Sequence, residues 1–111
     1  MTAVRVLEYL DRAGRSPWRR WFDDLDVHAA ARIGTALYRL GQGNFSNVEG
    51  VGSGVFELRI DFGPGYRVYF GKDGETFVIL LGGSTKKRQS AAIGAAHEAW
   101  MDYKQRKKSA T

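Results

Sequence analysis

From Phe56 to Phe62 apolar and charged side chains alternate without a break: Phe56, Leu58, Ile60 and Phe62 against Glu57, Arg59 and Asp61. A period of two belongs to a strand with one face in a core and one face away from it. Gly63-Pro64-Gly65 follows as a turn, and Tyr66, Val68 and Phe70 then fall on one side of a second strand with Arg67 and Tyr69 on the other. Opposed residues of an antiparallel pair share a face. A three-residue turn at 63–65 therefore predicts Phe62 opposite Tyr66, Ile60 opposite Val68, Asp61 opposite Arg67 and Arg59 opposite Tyr69. Lys72-Asp73-Gly74-Glu75 reads as an Asp-Gly hairpin turn into a third strand over 76–81. That turn sets Phe70 opposite Phe77 and Val68 opposite Ile79 on the core face, with Val78 and Leu80 on the other. A run apolar on both faces belongs in mid-sheet or under a further element.

The flanks complete an α+β pattern. Residues 3–10 mix β-branched and alternating side chains, as in a strand. Ser16-Pro17 opens a helix, Ser as N-cap and Pro at the first position, carrying Trp18, Trp21, Phe22 and Leu25 at helical spacing. Asp26 caps a second helix whose stripe is Ala30, Ile33, Leu37 and Leu40, and Gly41 ends it. Residues 44–53 read as a loop running into a strand. After Gly82-Gly83, Ser84 or Thr85 caps a last helix to about Lys104, with Ile93, Ala96, Trp100 and Tyr103 inward. The expected fold is an N-terminal strand, a helical hairpin on one sheet face, a three-stranded antiparallel meander and a C-terminal helix. Residues 1–105 form one domain, and 106–111 read as a frayed basic tail.

Charge narrows the function. There are 17 Lys plus Arg against 12 Asp plus Glu, a formal +5. Residues 1–55 hold 7 basic and 6 acidic side chains and residues 56–111 hold 10 and 6, so +1 and +4. Basic charge gathered in one half suggests a polyanionic partner, either nucleic acid or an acidic protein. The absence of cysteine removes disulfide scaffolds, thiol enzymes and Cys-based metal sites. Neither His28 nor His97 has a second histidine at helical spacing or a dense carboxylate cluster beside it. His28 reads as an exposed polar residue and His97 as a packed helix residue. The N-terminus lacks the pattern of a secretory leader, and no apolar run reaches the about 18 residues of a membrane span, so a cytoplasmic protein is expected. Gly63-Pro64-Gly65 joins two strands and precedes no helix, unlike a phosphate loop.

Arg59, Arg67 and Tyr69 share the second sheet face, and the third strand leads to Lys86-Lys87-Arg88-Gln89. Such a group suits RNA, which carries its own nucleophile in the 2′-OH. A protein cleaves it by holding that hydroxyl in line with the phosphate and stabilising the developing charge with guanidinium groups. Arg59 and Arg67 fit that role. Neither serves as a base, which leaves Lys86 or Lys87, or a relay through Tyr69 or Gln89.

Three ordered blocks carry a resemblance: Phe56-Glu57-Leu58-Arg59-Ile60, Phe62 through Phe70, and Leu80-Leu81-Gly82-Gly83 followed by Lys86 and Gln89. Together with the helix from Trp18 to Leu25 and Gly43-Asn44-Phe45, they resemble the addiction-module killer proteins, the HigB-like branch of the RelE/ParE toxin superfamily, related to the phage Gp49-like proteins. The resemblance implies the toxin of a type II toxin–antitoxin pair, an endoribonuclease that cuts messenger RNA at the ribosomal A site without metal or cofactor and leaves a 2′,3′-cyclic phosphate. It implies a helix-turn-helix antitoxin as partner, with operator DNA bound only through the complex. It also places Arg59, Arg67 and Lys86 where the family has basic residues on its active face, with Gln89 matching too; together with the residue reading, the expected site is Arg59, Arg67, Lys86 and Tyr69 as catalytic and Lys87, Arg88 and Gln89 as substrate-binding. Ala92 and Thr85 stand where the family commonly has acidic residues. A sister branch, ParE-like, keeps the fold and poisons DNA gyrase, and a basic RNA-binding module without catalysis is a third reading.

Overall fold

A computed structural model describes residues 3–110. The chain runs β1 (Arg5–Glu8), α1 (Pro17–Asp23), α2 (Val27–Gly41), β2 (Val48–Gly50), β3 (Val55–Ile60), β4 (Tyr66–Asp73), β5 (Phe77–Thr85), a 3-10 turn (Lys86–Arg88) and α3 (Gln89–Ser109). The five strands form one sheet in the order β1-β5-β4-β3-β2. β1 lies parallel to β5 and the other pairs are antiparallel.

Two cores result, one on each face. Beneath the helical hairpin, Trp18, Ala29, Ile33 and Leu40 pack on Leu58, Ile60, Val68, Phe70, Val78 and Leu80. On the other face α3 lays Ala96 and Trp100 over Val55, Tyr69, Ile79 and Leu81. β5 is thus flanked on both edges and covered on both faces, which is why it carries no alternation. That same uniformity hid its register. β4 stays paired as far as Asp73, opposite Phe77, so the turn lies later than expected and the faces of β5 are exchanged: Val78 and Leu80 join the hairpin-side core, and Ile79 and Leu81 lie under α3. A bulge between Tyr69 and Phe70 then resets the ladder, with Phe70 opposite Leu80 but Tyr69 opposite Gly82.

The β3–β4 register also differs from expectation, by two residues. Ile60 pairs with Tyr66 and Arg59 with Arg67, because residues 61–65 form a five-residue loop with Gly63 and Gly65 both at positive φ. An even shift preserves the faces, so the division between apolar and charged sides holds.

Local signals set the helix starts. The Ser16 hydroxyl accepts from the Arg19 N–H, and the Asp26 carboxylate accepts from the N–H groups of His28 and Ala29. α2 ends at Gly41 as expected, with Gln42 as its C-cap, and the left-handed glycine that closes it is Gly43, φ +90°. Asn44 N–H donates to Arg39 O and Gly43 N–H to Leu40 O, the paired closure of a helix ending on a left-handed glycine. At the last helix neither Ser84 nor Thr85 supplies a side-chain cap. α3 runs on to Ser109, so residues 106–109 are helical; Thr111 lies outside the described residues. Arg106 is held by Asp102 and Lys107 by Asp73. No helix among the described residues is long and apolar enough to cross a membrane.

Candidate functional site

The charged face of β3 and β4 becomes a small lattice once the register is known. One row across the strands holds Glu49, Glu57 and Tyr69, and the next holds Arg59, Arg67 and Ser84. Like charges therefore face each other directly along each row, an unfavourable arrangement alone. The diagonals relieve it. Arg59 Nη1 lies 3.6 Å from Glu49 Oε2, and Arg67 Nε lies 3.7 Å from Glu57 Oε1.

The two pairs sit in different media. Arg59 is exposed, whereas Arg67 is 6% and Glu57 7% exposed. Arg67 Nη1 donates to the Tyr66 carbonyl at 3.0 Å, but Arg67 Nε and Glu57 Oε1 have no hydrogen-bond partner. Charge, not a direct hydrogen bond, holds that pair. Tyr69 is fully buried. Its hydroxyl meets Ser84 Oγ at 3.0 Å while Ser84 donates to the Thr85 carbonyl, so the single serine proton is spent and Tyr69 is the donor. Burial pushes the Tyr69 phenol above its ordinary value, and the Glu57 charge adds to this.

Lys86 joins the group from the end of β5. Its N–H donates to the Gly65 carbonyl at 2.9 Å, tying the β3–β4 loop to the turn after β5. Gly65, φ +82°, leaves the space in which they meet: a Cβ there would lie 3.3 Å from Lys86 Cβ and 3.8 Å from Arg67 Nη1. Lys86 and the loop from Asp61 to Gly65 line an open hollow of about 390 Å³. Lys87 and Arg88 are exposed, and Gln89 is half-buried at the first position of α3.

The expected residues Arg59, Arg67 and Lys86 are thus brought to one end of the sheet, with Lys87, Arg88 and Gln89 on the following turn. Tyr69 lies beneath that surface. Glu57, Glu49 and Ser84 are not among the site residues expected from the sequence, where Ser84 reads only as a helix cap. A signal for Glu57 existed, since parity places it on the face of Arg59, but its diagonal partner depends on the register. Among the described residues no group of three or more His, Asp or Glu side chains is set to hold a metal ion.

An α+β domain with a five-stranded mixed sheet, a helical hairpin on one face and a long C-terminal helix on the other, with basic residues gathered at one end, is the class that fold and site define. Residues 20–100 match the family described as phage derived protein Gp49-like (DUF891), and the chain belongs to that family, one of RelE/ParE type. It is 43% identical over 77 residues, 68% of this chain and 78% of the relative, to an uncharacterized protein of Haemophilus influenzae.

Proposed function

We propose that this chain is the toxin of a type II toxin–antitoxin pair and inhibits translation by ribosome-dependent, metal-independent endonucleolytic cleavage of messenger RNA. The observation that carries the reading is the convergence of Arg59, Arg67 and Lys86 at one end of the sheet, beside the exposed Lys87 and Arg88. Family membership supports it.

In this reading the RNA supplies its own 2′-OH as nucleophile, and the protein orients the strand and stabilises charge on the phosphate oxygens. Arg59 and Lys86 are exposed cations able to reach a phosphate directly. Arg67, buried against Glu57, acts from below by adding positive potential and by holding the Gly65 loop that Lys86 is bonded to. Tyr69 positions Ser84 and does not touch the substrate. Lys87, Arg88 and Gln89 bind the strand. The partner is a helix-turn-helix antitoxin that covers this surface, and operator DNA is met only through that complex. The site of action is the cytoplasm.

A reconstituted translation reaction with primer extension on the message tests this, with a gyrase supercoiling assay in parallel. Expected are cuts phased to codons, lost in Lys86→Ala and Arg59→Ala. Intact message together with trapped gyrase–DNA complexes would replace the reading with a non-enzymatic, ParE-like one.

A further inference from the structure

A groove between α1 and the start of α3 lies beside this site, and apart from Ser84 and Arg88 its lining has no role in the proposed cleavage. The indole of Trp21 lies on the bare backbone of Gly83, where a Cβ would meet its six-membered ring at 2.2 Å. Tyr66 stands edge-on to the same indole, 6.3 Å between centroids, which fixes the plane of the ring. Trp21 and Gly83, with Ser84, Thr85, Arg88, Ala91 and Ala92, border a groove of about 390 Å³. Trp18 and Trp100 are buried, whereas Trp21 is half-buried. The two alanines put no long side chain into the space. At its rim Lys86, Lys87 and Arg88 are exposed, and none has a carboxylate within 4.0 Å among the described residues.

We propose that this groove is a nucleobase subsite for single-stranded RNA, in which one base stacks on Trp21 and the flanking phosphates lie on Lys86, Lys87 and Arg88. A flat aromatic surface between short side chains, rimmed by unpaired cations, matches an unstacked base with its backbone. A duplex keeps its bases stacked and cannot present one. An acidic helical peptide would satisfy the cations, but the groove lacks the depth and pocketing that a row of helix side chains fills. The subsite rests on RNA being the ligand, as proposed above, and adds a base-reading element outside the residues assigned to cleavage.

The test is titration of the full chain with a short single-stranded RNA of mixed sequence at low salt, followed by tryptophan fluorescence and by anisotropy of a labelled strand. Wild type binds with quenching. Trp21→Phe keeps the affinity and loses the quench. Trp21→Ala weakens binding by about tenfold, within the range for loss of one base stack. Because Trp21 also packs on Gly83, Ala91→Glu is the second variant. It changes an exposed residue, places a carboxylate in the groove and weakens binding at least as much. Wild-type affinity in Ala91→Glu and Trp21→Ala overturns the subsite, as does failure of wild type to bind the RNA or preferential binding of an acidic helical peptide. The same variants in the translation reaction separate the two proposals. Message cut by wild type and Ala91→Glu alike refutes the subsite and leaves the toxin reading standing. Groove-dependent RNA binding with intact message refutes ribosomal cleavage and leaves the subsite standing.

Discussion

Arg59 and Arg67 face each other across β3 and β4 and carry the same charge, yet their surroundings make them different residues energetically. Removing one member of a buried ion pair leaves the other charge uncompensated and costs about 3–5 kcal/mol. An exposed pair contributes about 1 kcal/mol or less. Arg67→Ala and Glu57→Ala are therefore each expected to destabilise the protein by about 3 kcal/mol, and Arg59→Ala by less than about 1 kcal/mol. The double variant Glu57→Leu/Arg67→Leu should be more stable than either single alanine variant, because both charges leave together. Urea denaturation midpoints decide this, and a double variant as unstable as the two singles summed would show that the pair is not energetically coupled. The consequence for activity assays is direct: lost activity in Arg67→Ala reports on folding as well as on the site, so Arg59 and Lys86 are the cleaner probes.

The seat of α1 depends on what glycine leaves out. Gly83 admits the Trp21 indole of α1, whereas a Cβ on the adjacent Gly82 would meet nothing within 4 Å. Gly83→Ala is expected to lose about 1–3 kcal/mol through overpacking, and Gly82→Ala to stay within about 0.5 kcal/mol of wild type; thermal unfolding of both compares them. The docking of α3 is electrostatic at its far end. Tyr103 donates to Asp73 at 2.7 Å and Tyr9 donates to Asp102 at 2.7 Å. Hydrogen bonds from Lys107 and Tyr103 hold the Asp73 carboxyl below its usual range, and the bond from Tyr9 foremost does the same for Asp102. Carboxylates lowered in this way add stability that is fully present above the unfolded value of about 3.9 and is lost as pH falls through their folded values. Burial, then the Asp73 bond, pushes the Tyr103 phenol up to about 12, so its contribution is full below about pH 10 and is lost as pH rises toward that value. Near-UV circular dichroism should report intact docking between about pH 4 and 10 and loosening on both sides. The rings of Trp100 and Tyr103 stack at 5.2 Å, which supplies the signal. Tyr9, raised by burial and then by its Asp102 bond, contributes to the same alkaline loss, so Tyr103→Phe should diminish that transition and Tyr9→Phe/Tyr103→Phe abolish it; an unchanged transition in the double variant would assign it elsewhere. These elements also show where sequence reading stops. The caps Ser16 and Asp26, just before α1 and α2, were legible because each is a contact within one turn, whereas α3 has no such cap and its anchors are Tyr9, just after β1, and Asp73, the last residue of β4.

Across the whole molecule the formal +5 is not spread evenly. Much of the basic C-terminal run is used internally, Arg106 against Asp102 and Lys107 against Asp73. Lys86, Lys87 and Arg88 form a run of three successive exposed cations with no carboxylate within 4.0 Å among the described residues. Association with single-stranded RNA should then fall with salt at a slope of about −3 in log–log form, from four phosphate contacts, at Arg59, Lys86, Lys87 and Arg88, of about 0.7 each. Lys87→Ala should reduce the slope by about 0.7, and a slope near zero would remove phosphate contact from the account. By itself the sequence determined the strands of the meander, the faces of β3 and β4, the helix starts at Ser16 and Asp26, and the gathering of basic residues in the second half. All of these follow from short-range periodicity, capping and counting. Only the tertiary structure decided the register, the exchanged faces of β5, the parallel edge strand β1 and the carboxylate partners that bury Arg67 and leave Lys86 free. An apolar run looks the same from either side, and the length of a loop is set by glycine conformations and by the packing of α3, neither of which a one-dimensional pattern records.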